Sequence, residues 1–555
     1  MALHDPILPH SGGVMAIAFS LSSLGALLVL GLLGFFSAST YTTWRRLKHI
    51  PGPPSAGLSK WWMLRNTLGG SMHLALKAAC DTHGKKWVAT SQAPEFADLF
   101  LVKTKRDMQM LVLARRPETL RQGRHCCHVA RVGPNTLVTD DPEVVKRMWA
   151  VRSSYKKGDF YDAVRFDPTR DNIISQRDDD LHNELRAKMA AGYAGKENEG
   201  LERGIDKGIM AFIGLIERDY VSEGAIFRPM DLARKAQYLT LDIIGDIAFG
   251  ADFGHLTQDT DVHKYIERTE ASMPAMMIVS VLPVLARVLQ LPLLRRLMPS
   301  EKDPHGFGKF IGEAKRVVAK RLGPNGIDRK DMLGSFLKHG LSREEAEGEA
   351  LVNIIAGSDT TATAIRTTML YLMSSPQAYR KLAHEIRTAA AKGQISSPIT
   401  DEEARTLPYL QAVIKEGMRV FPPVTGLMPT VVPPGGDVIR GIPVPEGTEI
   451  GWSAFGVQHN KGVYGLDAET FRPERWLEVK DEQLLQDMTS TWELVFKYGK
   501  WQCLGRSVAL LELDKIFVEL LRRYDFGLLN PPSPWNSFSA GIFIQSELWV
   551  KVTRI

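Results

Sequence analysis

The chemistry legible in this chain centres on one cysteine. In Phe496-Lys-Tyr-Gly499-Lys500-Trp501-Gln-Cys503-Leu-Gly505-Arg506, two glycines bracket Cys503, and a helix-forming run follows from Ser507. Glycine lets the backbone turn tightly and approach a flat cofactor with no Cβ in the way. A cysteine at a helix N-terminus meets the positive end of the helix dipole and nearby amide donors, and both favour its thiolate. A thiolate so held can ligate haem iron and push electron density towards bound oxygen. A lone cysteine before a helix is also commonly a small buried apolar residue, so this segment alone leaves both readings open.

Two further groupings bear on that choice. Ala356-Gly357-Ser358-Asp359-Thr360-Thr361 falls in the middle of a long apolar helix. Interior glycine costs about 1 kcal/mol relative to alanine, and successive threonines are poor helix formers, so the stretch reads as a break. Small residues there make room for dioxygen, and an acid beside an alcohol can relay protons to it. A kink held by threonine hydroxyls bonding back to the previous turn is a compatible structural reading. Glu416 and Arg419 lie at i, i+3 on one helix face, with Phe471-Arg-Pro-Glu-Arg475-Trp476 downstream. As a surface pair they would contribute well under ~1 kcal/mol. With Arg475 they can form a buried three-member network that pins the cysteine loop.

The elements that must position these residues are mainly helical. Asp231–Gly250 has helical apolar spacing, and Ser342-Arg-Glu-Glu345 is a capping box opening about nine turns to Ser374. Further helices are expected at Leu407–Val420 and Leu504–Tyr524. Short strands are expected at Ala130–Thr139, at Asp437–Trp452 with turns at Gly441 and Gly447, and at Ile542–Ile555. The fold class is therefore mainly α with small β-sheets. Met273–Met298 is apolar but broken by Pro274, Pro283 and Pro292 and interrupted by arginines. It suits either a pair of helices touching a membrane near a substrate route or an ordinary core hairpin.

Composition narrows the setting. The chain has 555 residues, 44% hydrophobic and 24% charged, enough for a large core. Its net charge of +6 (69 basic, 63 acidic) is far from a nucleic-acid-binding composition. Four cysteines (Cys80, Cys126, Cys127, Cys503) form no disulfide framework and suit a reducing compartment. After a short tail (residues 1–13), Val14–Phe36 runs without a charge, long enough as a helix to cross a bilayer core of about 30 Å. It exceeds the apolar region of a signal peptide, and Arg45, Arg46 and Lys48 follow it. The expectation is an uncleaved single-pass anchor with the rest of the chain cytosolic. Residues 37–58, basic and then Pro51-Gly52-Pro53-Pro54, read as a stiff linker to a catalytic domain at 59–555.

In this order and spacing, the three groupings resemble the cytochrome P450 family over nearly the whole chain. Arg131-Val-Gly-Pro-Asn-Thr-Leu137, Thr240–Gly250 and Gln545-Ser-Glu-Leu-Trp549 are similar to the filamentous-fungal branch around pisatin demethylase. The resemblance implies a triangular helical fold around haem b with Cys503 as the axial iron ligand. It also implies dioxygen activation by Asp359 and Thr360 and a structural triad of Glu416, Arg419 and Arg475. Phe496, Gly499 and Gly505 would shape the cofactor loop. His182 and Arg186 stand where the family has Trp-x-x-x-Arg, leaving Arg186 the best partner for a haem propionate. Trp501 replaces a common Arg or His, so Lys500 becomes the basic residue of that loop, and Thr430 replaces an arginine.

Ile355, Ala356, Val424, Leu427, Ile542 and Phe543 are the pocket walls the resemblance implies. Their apolar character points to a lipophilic terpenoid, polyketide or alkaloid. The implied partners are an NADPH-cytochrome P450 reductase (a flavoprotein) and membrane lipid, with no nucleic acid. The implied location is the endoplasmic reticulum membrane and the implied role is secondary-metabolite tailoring.

One stretch departs from this pattern. Asp81-Thr-His-Gly84 should lead almost directly into His128-Val-Ala-Arg131, yet Lys85–Cys127 intervenes without clear periodicity. His125-Cys126-Cys127-His128 within it invites a zinc reading, but four adjacent side chains do not readily converge on one tetrahedral ion. Our hypothesis is a retained intron. If translated, the segment is expected to be a surface loop or, where it disrupts the first sheet, to leave a catalytically impaired or non-catalytic haem protein. Sequencing the mature transcript across the junction is expected to show a message lacking the codons for 85–127; one that contains them all sinks the idea.

Overall fold

Polar caps start the long helices where their side chains can satisfy the first amides. The computed structural model describes residues 38–84 and 128–555, apart from 168–169, 196, 290, 292–293, 295–299, 304–305 and 325–328. The helices that position the site are α1 (Asp179–Tyr193), α2 (Leu232–Phe249), α3 (Tyr265–Val281), α4 (Arg343–Ser374), α5 (Pro408–Val420) and α6 (Arg506–Leu521). Asp231 accepts from the amides of Ala233 and Arg234 to open α2, and Gly250 closes it in the left-handed region. Ser342 and Glu345 form the reciprocal capping box that opens α4. α4 is buried along most of its length, packing against α2, α5 and α6 at the centre of the main core.

Small sheets lie at the margin. β1 (Val129–Gly133), β2 (Thr136–Thr139), β3 (Lys156–Lys157), β4 (Thr430–Val431) and β5 (Glu449–Trp452) form one sheet in the order β1-β2-β5-β4-β3. Only β2 and β5 run parallel. The expected strand at Ala130–Thr139 is thus a hairpin, and Asp437–Trp452 divides into three strands. At the C-terminus Phe543–Ser546 pairs with Asn536–Ser539, and Trp549–Arg554 pairs with Tyr524–Leu528. Tyr524 therefore starts a strand rather than ending a helix.

The proline-rich linker is docked rather than free. The Arg131 amide donates to the Pro51 carbonyl at 2.9 Å, and the buried Arg131 guanidinium donates to the carbonyls of Trp44 and Gly57. The expected anchor at residues 14–36 and the segment 85–127 lie outside the described residues. The ends flanking that segment meet: a Cβ on Gly84 would lie 3.3 Å from His128 Cα. β1 pairs with β2 from Val129 onwards, with a bulge between Arg131 and Gly133, so the chain can continue from Gly84 into β1 without the intervening residues. Within the apolar stretch after 262, α3 and the short helix Pro283–Leu289 meet at 110°. Met273, Met277 and Val281 are buried, whereas Val284, Leu285 and Val288 are exposed. No single described helix is long and apolar enough to cross a membrane.

Glu416, Arg419 and Arg475 meet in the interior, each at most 1% exposed. Arg419 grips Glu416 through two 2.9 Å bonds, and Arg475 Nε donates to the same carboxylate at 2.9 Å. The Trp476 indole N–H at 3.0 Å and the Arg472 amide at 2.8 Å complete its shell. Removing one partner of such a set strands the others as uncompensated buried charges. Glu416→Ala is expected to destabilise the fold by about 3–5 kcal/mol, measured by chemical denaturation; a loss under about 1 kcal/mol, as for a surface pair, would refute the structural role.

Candidate active site

A large cavity opens onto Cys503. The Cys503 amide donates to the Phe496 carbonyl at 2.8 Å and so closes the loop. Gly499 has φ +57°, and a Cβ there would sit 2.2 Å from the Trp149 carbonyl, so the turn requires glycine. α6 begins three residues after the cysteine, and the amides of Gly505 and Arg506 donate to its sulfur. Burial still pushes the thiol pKa up, because those amides, Arg186 and Lys497 offset the desolvation only in part. The sulfur lies deep in the protein yet is open to the cavity. A metal cation bound there would settle the balance in favour of thiolate. Phe496 and Gly505 also line the cavity.

The opposite wall is α4, which runs as one unbroken α-helix, so the expected break is absent. The backbone ladder stays intact although Thr360 Oγ1 also donates back to the Ala356 carbonyl at 2.9 Å. Gly357 serves packing as well: a Cβ there would lie 3.0 Å from the Ile244 side chain of α2. Ala356, Gly357, Thr360 and Thr361 line the cavity, but Asp359 does not. Its carboxyl is turned towards α2, where it accepts from Gln237. Burial pushes it up to about 6, against the downward pull of Gln237 and Arg366.

A third wall is cationic. Lys157 and Arg186 are joined there by Lys497 of the cysteine loop. Lys157 donates to the carbonyls of Ile173 and Ile174, Arg186 to that of Gln502, and Lys497 to the Tyr161 hydroxyl. Among the described residues, none of the three has a carboxylate at ion-pair distance. Burial pushes Lys157 well down and Lys497 down to about 8. His182 lines this wall too, and burial with the neighbouring Lys157 and Arg186 lowers it to about 3, so it is a neutral ring. His182 Nδ1 and the indole nitrogens of Trp452 and Trp501, all in lining residues, are buried without partners. Buried cations and polar atoms left unmatched in this way fit a ligand that brings its own anionic groups.

The cytochrome P450 profile matches residues 99–552. This chain belongs to the cytochrome P450 family. It is similar to the cytochrome P450 monooxygenase ABA1 of Pyricularia oryzae, at 40% identity over 95% of this chain and 96% of the relative. It is 38% identical to the cytochrome P450 monooxygenase aba1 of Botryotinia fuckeliana, over 77% of this chain and 84% of that one. A further relative, abl1 of Leptosphaeria maculans, is 31% identical over 93% and 84%. The protein is accordingly a monooxygenase, and the family implies haem, a redox partner reductase and a lipophilic substrate.

The residues of this P450 fit haem. Cys503 would ligate the iron, and Lys157, Arg186 and Lys497 would receive its two carboxylates. Several expectations need correcting. Lys500 does not line the cavity: it pairs with Asp179 at 2.8 Å and donates to the carbonyls of Ser153 and Tyr155. Among the expected walls, Ala356 and Val424 line the cavity. Ile355, one position before Ala356, is carried by the helical rotation into the core. Leu427 packs against Gly451, and Phe543 sits among His73, Phe421 and Phe455. Ile542 pairs with Val424 and packs against the main core. Lys157 and Lys497 were missed, although Lys497 lies within the quoted cysteine loop.

Lys157→Met and Lys497→Met should each weaken haem retention by about 2 kcal/mol or more, seen as faster haem transfer to apomyoglobin. Lys500→Met should instead lower the unfolding temperature and leave that rate unchanged. Equal transfer rates in all three variants would remove both lysines from the cofactor site.

Proposed function

We propose that this P450 inserts one oxygen atom from dioxygen into a lipophilic terpenoid, polyketide or alkaloid, as a tailoring step in fungal secondary metabolism. The observation that carries this reading is the asymmetry of the cavity. Besides its cationic wall, the cavity has an apolar lining of Ile244, Val352, Ala356, Val424 and Met428 suited to a hydrocarbon skeleton. The three relatives described above are all monooxygenases by name, which supports the same reading.

Haem held at Cys503 would supply the activation of dioxygen and its insertion chemistry. This chain's own residues do the rest. Lys157, Arg186 and Lys497 fix the cofactor's orientation by its carboxylates. The Thr360 hydroxyl gives its one proton to the Ala356 carbonyl at the cavity wall, so its oxygen is presented to the cavity as a hydrogen-bond acceptor. Asp359, one residue away, exchanges protons with the far side of α4. The apolar wall orients the substrate and excludes water.

Electrons would come from NADPH through a flavoprotein reductase. Residues 14–36 would anchor the protein in the endoplasmic reticulum membrane with the catalytic domain in the cytosol. Exposed Leu58, Trp61, Val284 and Val288 offer further apolar contact with lipid.

Replacing the chromosomal gene with a Cys503→Ala copy tests the reading. A lipophilic precursor one oxygen lighter than the lost product should accumulate, as detected by mass spectrometry. A precursor heavier by two hydrogens would instead indicate coupling, cyclisation or desaturation. An unchanged metabolite profile while the transcript is present would sink the proposal.

A further inference from the structure

We propose that Gln237, locked in place by Arg366, is the positioning residue that determines which oxygen of Asp359 carries its proton. The inference rests on reading Asp359 as a proton-exchanging group, and concerns how this chain controls it.

Asp359 and Arg366 lie two turns apart on α4, and both face α2. Arg366 is 1% exposed, and its Nε donates to the Ala233 carbonyl at 2.8 Å. Its Nη2 donates to Gln237 Oε1, while Gln237 Nε2 donates to Asp359 Oδ1. A guanidinium has donors only, so it fixes the orientation of the glutamine amide. Oε1 must face Arg366, and the amide can then present only N–H to the aspartate. Oδ1 is thereby held as an acceptor. Oδ2 is buried and has no partner, which leaves it as the oxygen free to take a proton.

Other groups face the same site. Arg234 of α2 and Glu270 of α3 form an ion pair at 3.3 Å, each about a quarter exposed, and Tyr265 of α3 lies close by. The Arg234–Glu270 pair is the partly exposed member of this group. Burial brings Asp359 up to about 6, while Gln237 and Arg366 hold it from rising further. The carboxyl is therefore protonated below that value and ionised above it. Losing a donor to the charged form moves the midpoint upwards.

Infrared difference titration of the haem-loaded protein tests this through the protonated-carboxyl band that Asp359→Asn abolishes. Gln237→Leu should move the midpoint of that band up by about one pH unit or more. Gln237→Glu keeps a partner for Arg366 if the leucine variant fails to fold. It should also move the midpoint up, because a second acid replaces the donor. A carbon-monoxide difference spectrum of the reduced protein verifies that each variant is loaded. An unmoved midpoint in a loaded variant overturns the proposal. The pH profile of reductase-supported NADPH consumption is read separately. If Asp359→Asn leaves that profile unchanged, the proton-exchange reading of Asp359 fails, while a shifted band still supports the positioning role of Gln237.

Discussion

The structure depends on a carboxylate held away from water. Glu416 accepts two bonds from Arg419, one from Arg475, one from the Trp476 indole and one from the Arg472 amide. Desolvating a carboxylate costs several kcal/mol, which is offset only when its lone pairs are filled with good geometry. Here the shell is filled by residues from two distant parts of the chain, α5 and the segment 472–476. Asp467 balances the second guanidinium at 3.0 Å. The network therefore fixes where the chain after α5 must run. Arg419 also holds the Gln458 carbonyl, and the Gln458 side chain holds that of Thr491. Arg475 holds the Tyr464 carbonyl, and the Tyr464 hydroxyl holds that of Met488. Met488 and Thr491 lie on the helix Glu482–Trp492 that delivers the chain to Phe496 and Cys503. The position of the cysteine is inherited from Glu416 through this series of buried bonds.

This explains which parts of the site were legible in the sequence. Caps and periodicity are local, so Asp231, Ser342 and Gly250 marked their helix ends correctly. Cys503 was legible because its setting, a glycine-bracketed turn before a helix, is also local. Of the cationic wall, only Arg186 was, through the family resemblance. Lys157 is on β3, Arg186 on α1 and Lys497 in the cysteine loop, and only the folded sheet and helices bring them together. Lys500 was expected to be the basic residue of the cysteine loop, but its ammonium faces Asp179, and Lys497 three positions earlier lines the cavity instead. Likewise Ile355 and Ala356 are adjacent in sequence but about 100° apart around α4. The family resemblance placed both on the pocket, and only the helix orientation separates them.

The cationic wall also bears on stability. A folded protein gains nothing by burying lysine and arginine without carboxylates, and the lowered values of Lys157 and Lys497 reflect that cost. The cost is accepted where a ligand returns the missing charge. Such a ligand stabilises the folded chain by mass action, so cofactor binding and folding are linked for this protein. The neutral His182 and the unpartnered indoles of Trp452 and Trp501 fit the same account. Each is a donor or acceptor kept out of water in the residues around a site whose polarity is completed from outside the chain.

α4 joins the two halves of the chemistry because its faces differ. One face offers Ala356, Gly357 and Thr360 to the cavity, where small size and a single hydroxyl leave room for substrate and a diatomic molecule. The adjoining face, about 100° round the helix, carries Asp359 and Arg366 into contact with Gln237 of α2. Asp359 and Thr360 are consecutive residues, so the acid and the hydroxyl share one peptide unit while facing different neighbours. Gly357, which allows close contact with Ile244, and the back-bonded Thr360 sit on either side of it. The residues that lower the helix propensity of this stretch are therefore the ones that set its contacts, Gly357 with α2 and Thr360 with the cavity, while the hydrogen-bonded ladder stays intact.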